Sequence, residues 1–510
     1  MKLKNGKKIV IVGGGIAGLC AAVYGLKCGY DVEVVEMADL AGGLAVSWRR
    51  GAYTFETCLH WLLGSRPGGE FHSLWQEIFD IEKLKFIDPD EMVRIVGVDG
   101  DELNIYTDPG RLEVELLRRS PGDGAVVSEL IDSVRKLSHF KLLDPAQGLA
   151  GNWRGILQDL PLFPMMRRLG SMSGEQFGAR FSDPLLRGFF STGDVGKLTG
   201  VAMLLSLAWM ADRNAGYCIG GSQAIIRAIE QKIAELGGSI RFKSRVKRIV
   251  VANDTAIGIE LAGGVHIPAD WVISAADGHA TIFDMLGGKF VDKKIRAIYE
   301  AHETFSSYLQ VSLGIARDLS DLPFMTSYAL RQPLEIDPVT KTSNIGFRFF
   351  HFDPTFAPPG RTAVTSTLMT RNTDYWTGLR AGDLKEYHAR KHALAEAVIS
   401  ILDERVPGGV REDVEVIDVS TPATVIRYTG NWKGSQEGWL LKAGEGMGLL
   451  PTTLPGLERF VMVGQWVLPG GGLPSGPITA RPALRAICKK DGVPFTPAAE
   501  RVEALETVGT

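Results

Sequence analysis

The sequence carries no excess of charge. Lys+Arg 56 against Asp+Glu 59 leaves a net −3, so it lacks the broad basic field that a nucleic-acid partner requires. Cysteine is scarce. Five in 510 residues, none in a CxxC pair, exclude a disulfide scaffold, a zinc ribbon and a thioredoxin-type site. Long hydrophobic runs are missing as well: the best candidate, Val201 to Ala211, falls short of the ~20 residues needed to span a bilayer. The basic stretch Met1 to Lys8 leads into a strand and a glycine turn, so no targeting segment is expected. There is no internal repeat and no low-complexity tract. These absences point to a soluble, cytoplasmic protein and leave peripheral membrane contact open. What is present is globular in composition, hydrophobic 45% and charged 23%. The length corresponds to about three units at ~150 residues each. Glycine alone stands out. Its 60 residues are about 12% of the chain against an average of ~7%, and they gather in short loops.

The first such loop follows a β-branched run, Lys8-Ile9-Val10-Ile11-Val12, which reads as a strand buried on both faces. Gly13-Gly14-Gly15-Ile16-Ala17-Gly18 is a GxGxxG. A helix over Leu19 to Lys27, closed by Gly29, and a second strand, Val32 to Val35, complete a βαβ unit that ends in Glu36. In this setting the motif binds a dinucleotide. Gly13 allows the tight turn, Gly15 lets the backbone approach a pyrophosphate, and Gly18 lets the helix lie close to the sheet. The free N–H groups at the helix start hold the negative charge. Glu36 is placed to accept hydrogen bonds from ribose hydroxyls.

A second glycine pair follows in Asp39-Leu40-Ala41-Gly42-Gly43-Leu44. Here the chain resembles the FAD-dependent oxidoreductases of the glutathione-reductase-like class, in which a Gly-Gly loop lies over the pyrophosphate. Gly51 to Trp61 narrows the resemblance. It is similar to the G-x-x-F-D-T-G-x-H-Y segment of the phytoene desaturase and retinol saturase family, which includes carotenoid desaturases and isomerases. Glu56 stands in place of that family's Asp and Cys58 in place of its Gly, which raises the question of whether the backbone there needs glycine's free φ. Later segments extend the resemblance from about Lys8 to Asp491. They are Gly216 to Ser222 with a helix over Gln223 to Leu236, a strand meander from Ile240 to Asp277, the loop Asp353 to Gly360, and Thr421 to Ser435. Last comes the glycine box Gly464 to Gly476, followed by a helix to Lys489.

The resemblance implies an α/β fold: a glutathione-reductase-like, Rossmann-type FAD-binding domain with a mixed α+β substrate or cap domain inserted. Residues 1–75, 216–288 and 415–495 would form the discontinuous FAD domain, 76–215 and 289–414 the cap, and 496–510 a C-terminal tail. It places Gly13, Gly15, Ile16, Ala17, Gly18, Glu36, Gly42, Gly43, Leu44 and His60 on the cofactor, with Val246 at the adenine. Gly464, Gly472, Leu473 and Gly476 would face the flavin ring, where a helix N-terminus stabilises negative charge. The apolar stretches Leu160 to Met166 and Val201 to Met210 read as cap core or as the wall of a lipophilic tunnel.

The implied chemistry is the addition or removal of hydrogen across a carbon–carbon bond of a polyene, isoprenoid or acyl substrate. Quinone, oxygen or nicotinamide would be the electron partner, and no metal is called for. Proton handling falls to His60 or Tyr428, with Arg427 stabilising charge; each also has a purely structural reading. Cys58 reads as a reactive thiol or, more simply, a small buried residue. The alternatives are a flavin-dependent double-bond isomerase, an amine oxidase, and a non-catalytic prenyl or lipid carrier resembling the Rab GDP-dissociation inhibitors. Glu36, Gly42-Gly43 and the Gly464–Gly476 box speak against the carrier, which has no need of all three.

Overall fold

In the computed structural model, residues 5–138, 140, 159–445 and 450–497 are described. Most of the expected tail therefore lies outside the described residues. The run of β-branched residues at Lys8–Val12 forms the central strand of a five-stranded sheet. From one edge the order is Ser239–Arg241, Asp31–Val35, Lys8–Val12, Trp271–Ser274 and Phe460–Met462, all parallel. Both faces are covered, which is why these strands are apolar without alternation. The helix Ile16–Lys27 lies on one face, buried along almost its whole length, and packs against the C-terminal helix Ser475–Asp491. It begins three residues earlier than the sequence pattern indicates, because Gly15 serves as its N-cap.

Two expected elements of the meander sit elsewhere: Trp271–Ser274 lies in the parallel sheet between Lys8–Val12 and Phe460–Met462. Ile240–Arg241 does not join the meander but pairs parallel to Val34–Val35 at the sheet edge. The helix Gly221–Glu235 precedes it, and a strand that follows a crossover helix returns parallel to its neighbours. The meander proper is a separate antiparallel sheet of Val246–Ala252, Thr255–Leu261 and His266–Pro268. Its first hairpin turns at Asn253 and Asp254, both at positive φ (48° and 57°), as a two-residue hairpin loop requires.

A seven-stranded mixed sheet stands beside these. Its order is Val414–Ser420, Ser307–Ile315, Thr362–Thr370, Thr340–Phe349, Met325–Asp337, Glu91–Val96 and Glu102–Tyr106. Met325–Asp337 and Glu91–Val96 pair parallel and the other neighbours antiparallel. The sequence boundary at 415 falls inside one of these strands. The apolar run after Thr199 forms the helix Gly200–Ala211, and its Leu204, Leu207 and Ala208 are buried with Phe177, Phe181 and Phe190. Among the described residues no helix is long and apolar enough to cross a membrane.

Candidate functional site

The turn after the first strand is set by sterics. Gly13 has φ +99°, and a Cβ there would lie 3.1 Å from the Ala275 backbone. A Cβ on Gly18 would stand 2.0 Å from the Gly13 carbonyl oxygen, so glycine lets the helix close on the turn. Gly15 differs from both. Its Cβ would meet no protein atom nearer than 4.0 Å, so the protein's own packing does not demand glycine there; the space belongs to a cavity. No side chain caps the helix that starts at Ile16, which leaves its first N–H groups for a ligand. Glu36 is buried at the end of the second strand, where its Oε2 accepts from the Gly14 N–H at 2.6 Å and its Oε1 from the Ala38 N–H at 2.8 Å. Gly42 (φ +122°) donates its N–H to the Gly14 carbonyl at 2.9 Å, joining the two glycine loops.

These groups line an elongated cavity of about 1500 Å³, partly open to solvent. One end is formed by Val35, Glu36, Met37, Ser244, Arg245 and Val246. It is closed by the Ser244 N–H, which donates to the Glu36 carbonyl at 2.8 Å. Gly13, Gly15, Ile16, Ala17, Gly42, Gly43 and Leu44 line its course, and Gly464, Gly472, Leu473 and Ser475 approach from the C-terminal box. Segments more than 400 residues apart in sequence therefore share one wall. Gly18 and Gly476 are not in that wall. They let elements close on each other: a Cβ on Gly476 would lie 3.1 Å from the Ile16 side chain and 3.2 Å from Cys20 Sγ. The residues present fit a dinucleotide, since the cradle at Gly15 is one a Cβ would enter and the helix start beside it is uncapped.

The other end gathers Thr57, Cys58, His60, Tyr308, Gln436 and Glu437. Cys58 has no left-handed backbone, so the glycine it replaces is not required for φ. Burial pushes its thiol well above the usual range, which makes it a filler rather than a nucleophile. Glu56, next to it, faces away from the cavity. Its carboxylate accepts from Leu59 N–H at 2.7 Å and from Ser222 N–H at 3.0 Å, at the start of the helix Gly221–Glu235. Burial pushes its pKa up against the pull of these donors.

His60 is the hinge of the arrangement. It lines this cavity and also a second one, walled by Ile87, Tyr217, Leu322, Pro323, Phe324 and Phe352, with Asp90, Glu91, Arg94, Asp321 and His351 also on its wall. Behind it the buried Arg348 donates from Nη1 to the Leu59 carbonyl at 2.6 Å. The ring is open to the cavities, but the Arg348 charge, together with the desolvation of this deep site, holds the imidazole well below its usual pKa, so His60 is neutral. Tyr428 reaches the first cavity from the helix Pro422–Thr429 but is half exposed. Arg427 is exposed, its Cζ 5.5 Å from the Tyr428 ring, and lines neither cavity.

Two residues of this region escape sequence reading, Arg348 and Glu437. For Arg348 the available signal is a lone charge in an apolar run, Phe347-Arg348-Phe349-Phe350; for Glu437, between Gln436 and Gly438, the sequence offers none. Glu437 lines the cavity, and burial pushes its carboxyl up to about 7, with Asp194 adding to the rise. Asp277 also lines it, raised by burial to about 6 against the pull of its backbone donors, among them Ala280 N–H and Trp432 N–H, each at 2.8 Å. Among the described residues no cluster of side chains is arranged to hold a metal.

Known proteins resemble this chain in sequence and fold. The family described as flavin containing amine oxidoreductase matches residues 16–392. Prolycopene isomerase of Arabidopsis thaliana is 23% identical over 485 residues, covering 91% of this chain and 80% of the relative. The neurosporene-forming phytoene desaturase of Rhodobacter capsulatus is 24% identical over 502 residues, covering 92% of this chain and 91% of its own. Among solved structures, a double mutant of putrescine oxidase superposes with a TM-score of 0.60 at 16% identity, covering 96% of this chain and 99% of that one.

Proposed function

The chain belongs to the flavin-containing amine oxidoreductase family, and from that premise we propose that it is an FAD-dependent oxidoreductase adding or removing hydrogen across a carbon–carbon bond of an apolar isoprenoid, polyene or acyl substrate. The observation that carries this reading is the junction at His60. A dinucleotide cavity and a second cavity, with aliphatic and aromatic walls and charged groups among them, both reach one neutral imidazole. A hydrocarbon chain can lie in the second while its reacting bond reaches the first. The desaturases and isomerases named above support the substrate class.

When bound, FAD supplies hydride chemistry. The chain's own residues bind and orient. Gly13, Gly15, Ile16, Ala17, Gly42, Gly43 and Leu44 take the pyrophosphate, Glu36 the ribose and Val246 the adenine. Gly464, Gly472 and Leu473 present the start of the helix Ser475–Asp491 to the ring. Gly18 and Gly476 hold the helices together behind them. His60 contacts the substrate at the reacting bond; Tyr428 borders the mouth, and Arg427 lies outside it. The described parts of 1–75, 216–288 and the segment after the strand Val414–Ser420 to 495 carry the cofactor, and those of 76–215 and 289–414, with that strand, close over it. A second reading, shifting a double bond without net redox change, rests on the prolycopene isomerases.

The test is the visible absorption spectrum of the purified protein, taken before any cofactor is added and again under anaerobic mixing with a saturated or unsaturated isoprenoid. Two flavin bands that bleach with the saturated form establish desaturation; return of those bands when the pre-reduced protein meets the unsaturated form establishes saturation. Turnover with no acceptor establishes isomerisation. A protein that stays colourless after refolding with FAD overturns the reading.

A further inference from the structure

The first cavity contains three carboxyls among its described lining residues, and two are committed to the protein. Glu36 accepts from two backbone N–H groups and Asp277 from two others. Glu437 has neither a hydrogen-bonding nor an ionic partner among the described residues, and it lines the cavity at the end shared with Cys58 and His60. Its position is fixed from behind. A Cβ on Gly471 would lie 2.5 Å from the Glu437 carbonyl oxygen and 2.8 Å from its Cβ, so the C-terminal glycine box presses directly on it. Gly438, the next residue, accepts at its carbonyl from Phe305 N–H at 2.9 Å, and Ser435 Oγ donates to the same carbonyl at 2.9 Å. The backbone is held and the carboxyl is left to the cavity. A carboxyl that is placed on rigid backbone yet bonded to nothing in the protein is available to a ligand.

We propose that Glu437 is the proton-handling carboxyl of the reaction, giving or taking the proton at the substrate carbon next to the one that exchanges hydride with the flavin. This rests on the reading of the chain as a flavin enzyme acting on a carbon–carbon bond. In the dehydrogenating direction one C–H bond breaks with its proton going to the Glu437 carboxylate. Its electron pair becomes the new double bond as hydride leaves the neighbouring carbon for the flavin, the two-electron oxidant. In the hydrogenating direction the neutral acid returns the proton.

The surroundings suit that role. Asp194 faces Glu437 as a fixed negative charge: it accepts from Ser306 N–H at 2.7 Å and from Ser306 Oγ at 3.0 Å, and pairs with Arg371 at 2.6 Å. Among the described residues, other titratable groups on that side include Cys58 and Tyr308, both kept neutral by burial, the neutral His60, and Arg348 and Glu56 behind them. Burial and the like charge of Asp194 bring the Glu437 carboxyl to about 7, where acid and base forms are both accessible at neutral pH. His60, held well below its usual pKa by Arg348, is the poorer base.

The test compares the holoenzyme with its Glu437→Gln and Glu437→Asp variants. Bound-flavin absorption is followed through a pH titration. The wild-type band is expected to shift with a midpoint near about 7, Glu437→Gln to abolish the shift and Glu437→Asp to keep it. With a saturated isoprenoid supplied anaerobically, Glu437→Gln is expected to slow bleaching ~10²–10⁴-fold at unchanged substrate affinity, and Glu437→Asp to retain part of the rate. A wild-type band indifferent to pH, or a Gln variant that bleaches at the wild-type rate, overturns the assignment. If the band titrates but no isoprenoid bleaches the wild type, it is the substrate reading that falls; the titration has by then placed Glu437 at the flavin.

Discussion

At Gly15 a β-carbon would meet no protein atom nearer than 4.0 Å, and that open space is what the turn exists to provide. Gly15→Val is therefore expected to fold with the thermal stability of the flavin-free wild type and to carry no flavin. Stability by circular dichroism and flavin content by absorbance, measured on one preparation, separate the two effects. An ordinary flavin content in Gly15→Val rules out the pyrophosphate assignment. His60 makes a different demand. Arg348 and the desolvation of its site hold its imidazole neutral, so proton uptake by the folded protein is suppressed where an ordinary histidine titrates. The sign follows from linkage. The unfolded chain binds the proton below about 6.5 and the folded chain does not, so His60 subtracts stability as pH falls through that value. His60→Ala should flatten this part of the stability–pH curve while keeping flavin and lowering turnover. Unfolding in urea at neutral and mildly acidic pH measures it. An unchanged curve together with unchanged turnover would leave His60 as filler at the junction.

Elements are joined here by glycines and by one buried carboxylate. A Cβ on Gly18 would stand 2.0 Å from the Gly13 carbonyl, so Gly18→Ala must push the first helix off the sheet. Overpacking of this kind costs about 1–3 kcal/mol. In contrast to Gly15→Val, this variant should lose flavin and also fall below the flavin-free wild type in stability. Glu56 ties the end of the strand Tyr53–Glu56 to the start of the helix Gly221–Glu235 through Ser222. Glu56→Gln turns an amide N–H₂ toward donors that need an acceptor. It should lower stability by about 1–3 kcal/mol, measured by urea unfolding; a change below a few tenths would show that the loop adapts. The βαβ unit was legible in sequence because each of its glycines answers a local requirement. The seven-stranded sheet was not. Its parallel pairing of Glu91–Val96 with Met325–Asp337 joins segments over 200 residues apart, and nothing in either segment specifies the other. The meander was read two strands too long for a related reason: Ser239–Arg241 and Trp271–Ser274 are placed by their distant parallel partners, not by their own residues. Arg348 and Glu437 were invisible because their chemistry comes from burial, which only the assembled fold supplies.

Over the whole molecule the two ends of the described chain form one structure around the cavity. Asp491, at the end of the last helix, accepts from Lys7 Nζ at 2.6 Å, 484 positions away. It also accepts from Tyr30 Oη at 2.9 Å and from the Trp271 indole N–H at 3.0 Å. Tyr30 and Trp271 are 2% and 4% exposed, so water cannot replace the acceptor readily. Burial opposes ionisation of Asp491, but the Lys7 charge and these donors hold its pKa below the usual value. A depressed carboxyl contributes stability that is present above the unfolded-state pKa and is lost as pH falls through the folded one. Asp491→Ala should accordingly lower stability by about 1–3 kcal/mol at neutral pH and remove the steepest part of the acid-induced loss. The same helix begins at the glycine box that lines the cavity, so loosening its far end should reach the flavin. Heating the wild type should release flavin and unfold the backbone in one transition. In Asp491→Ala both midpoints should fall together. Flavin release that runs ahead of backbone unfolding in the variant would mean that the C-terminal helix comes away by itself, and that the cofactor site depends on its near end alone.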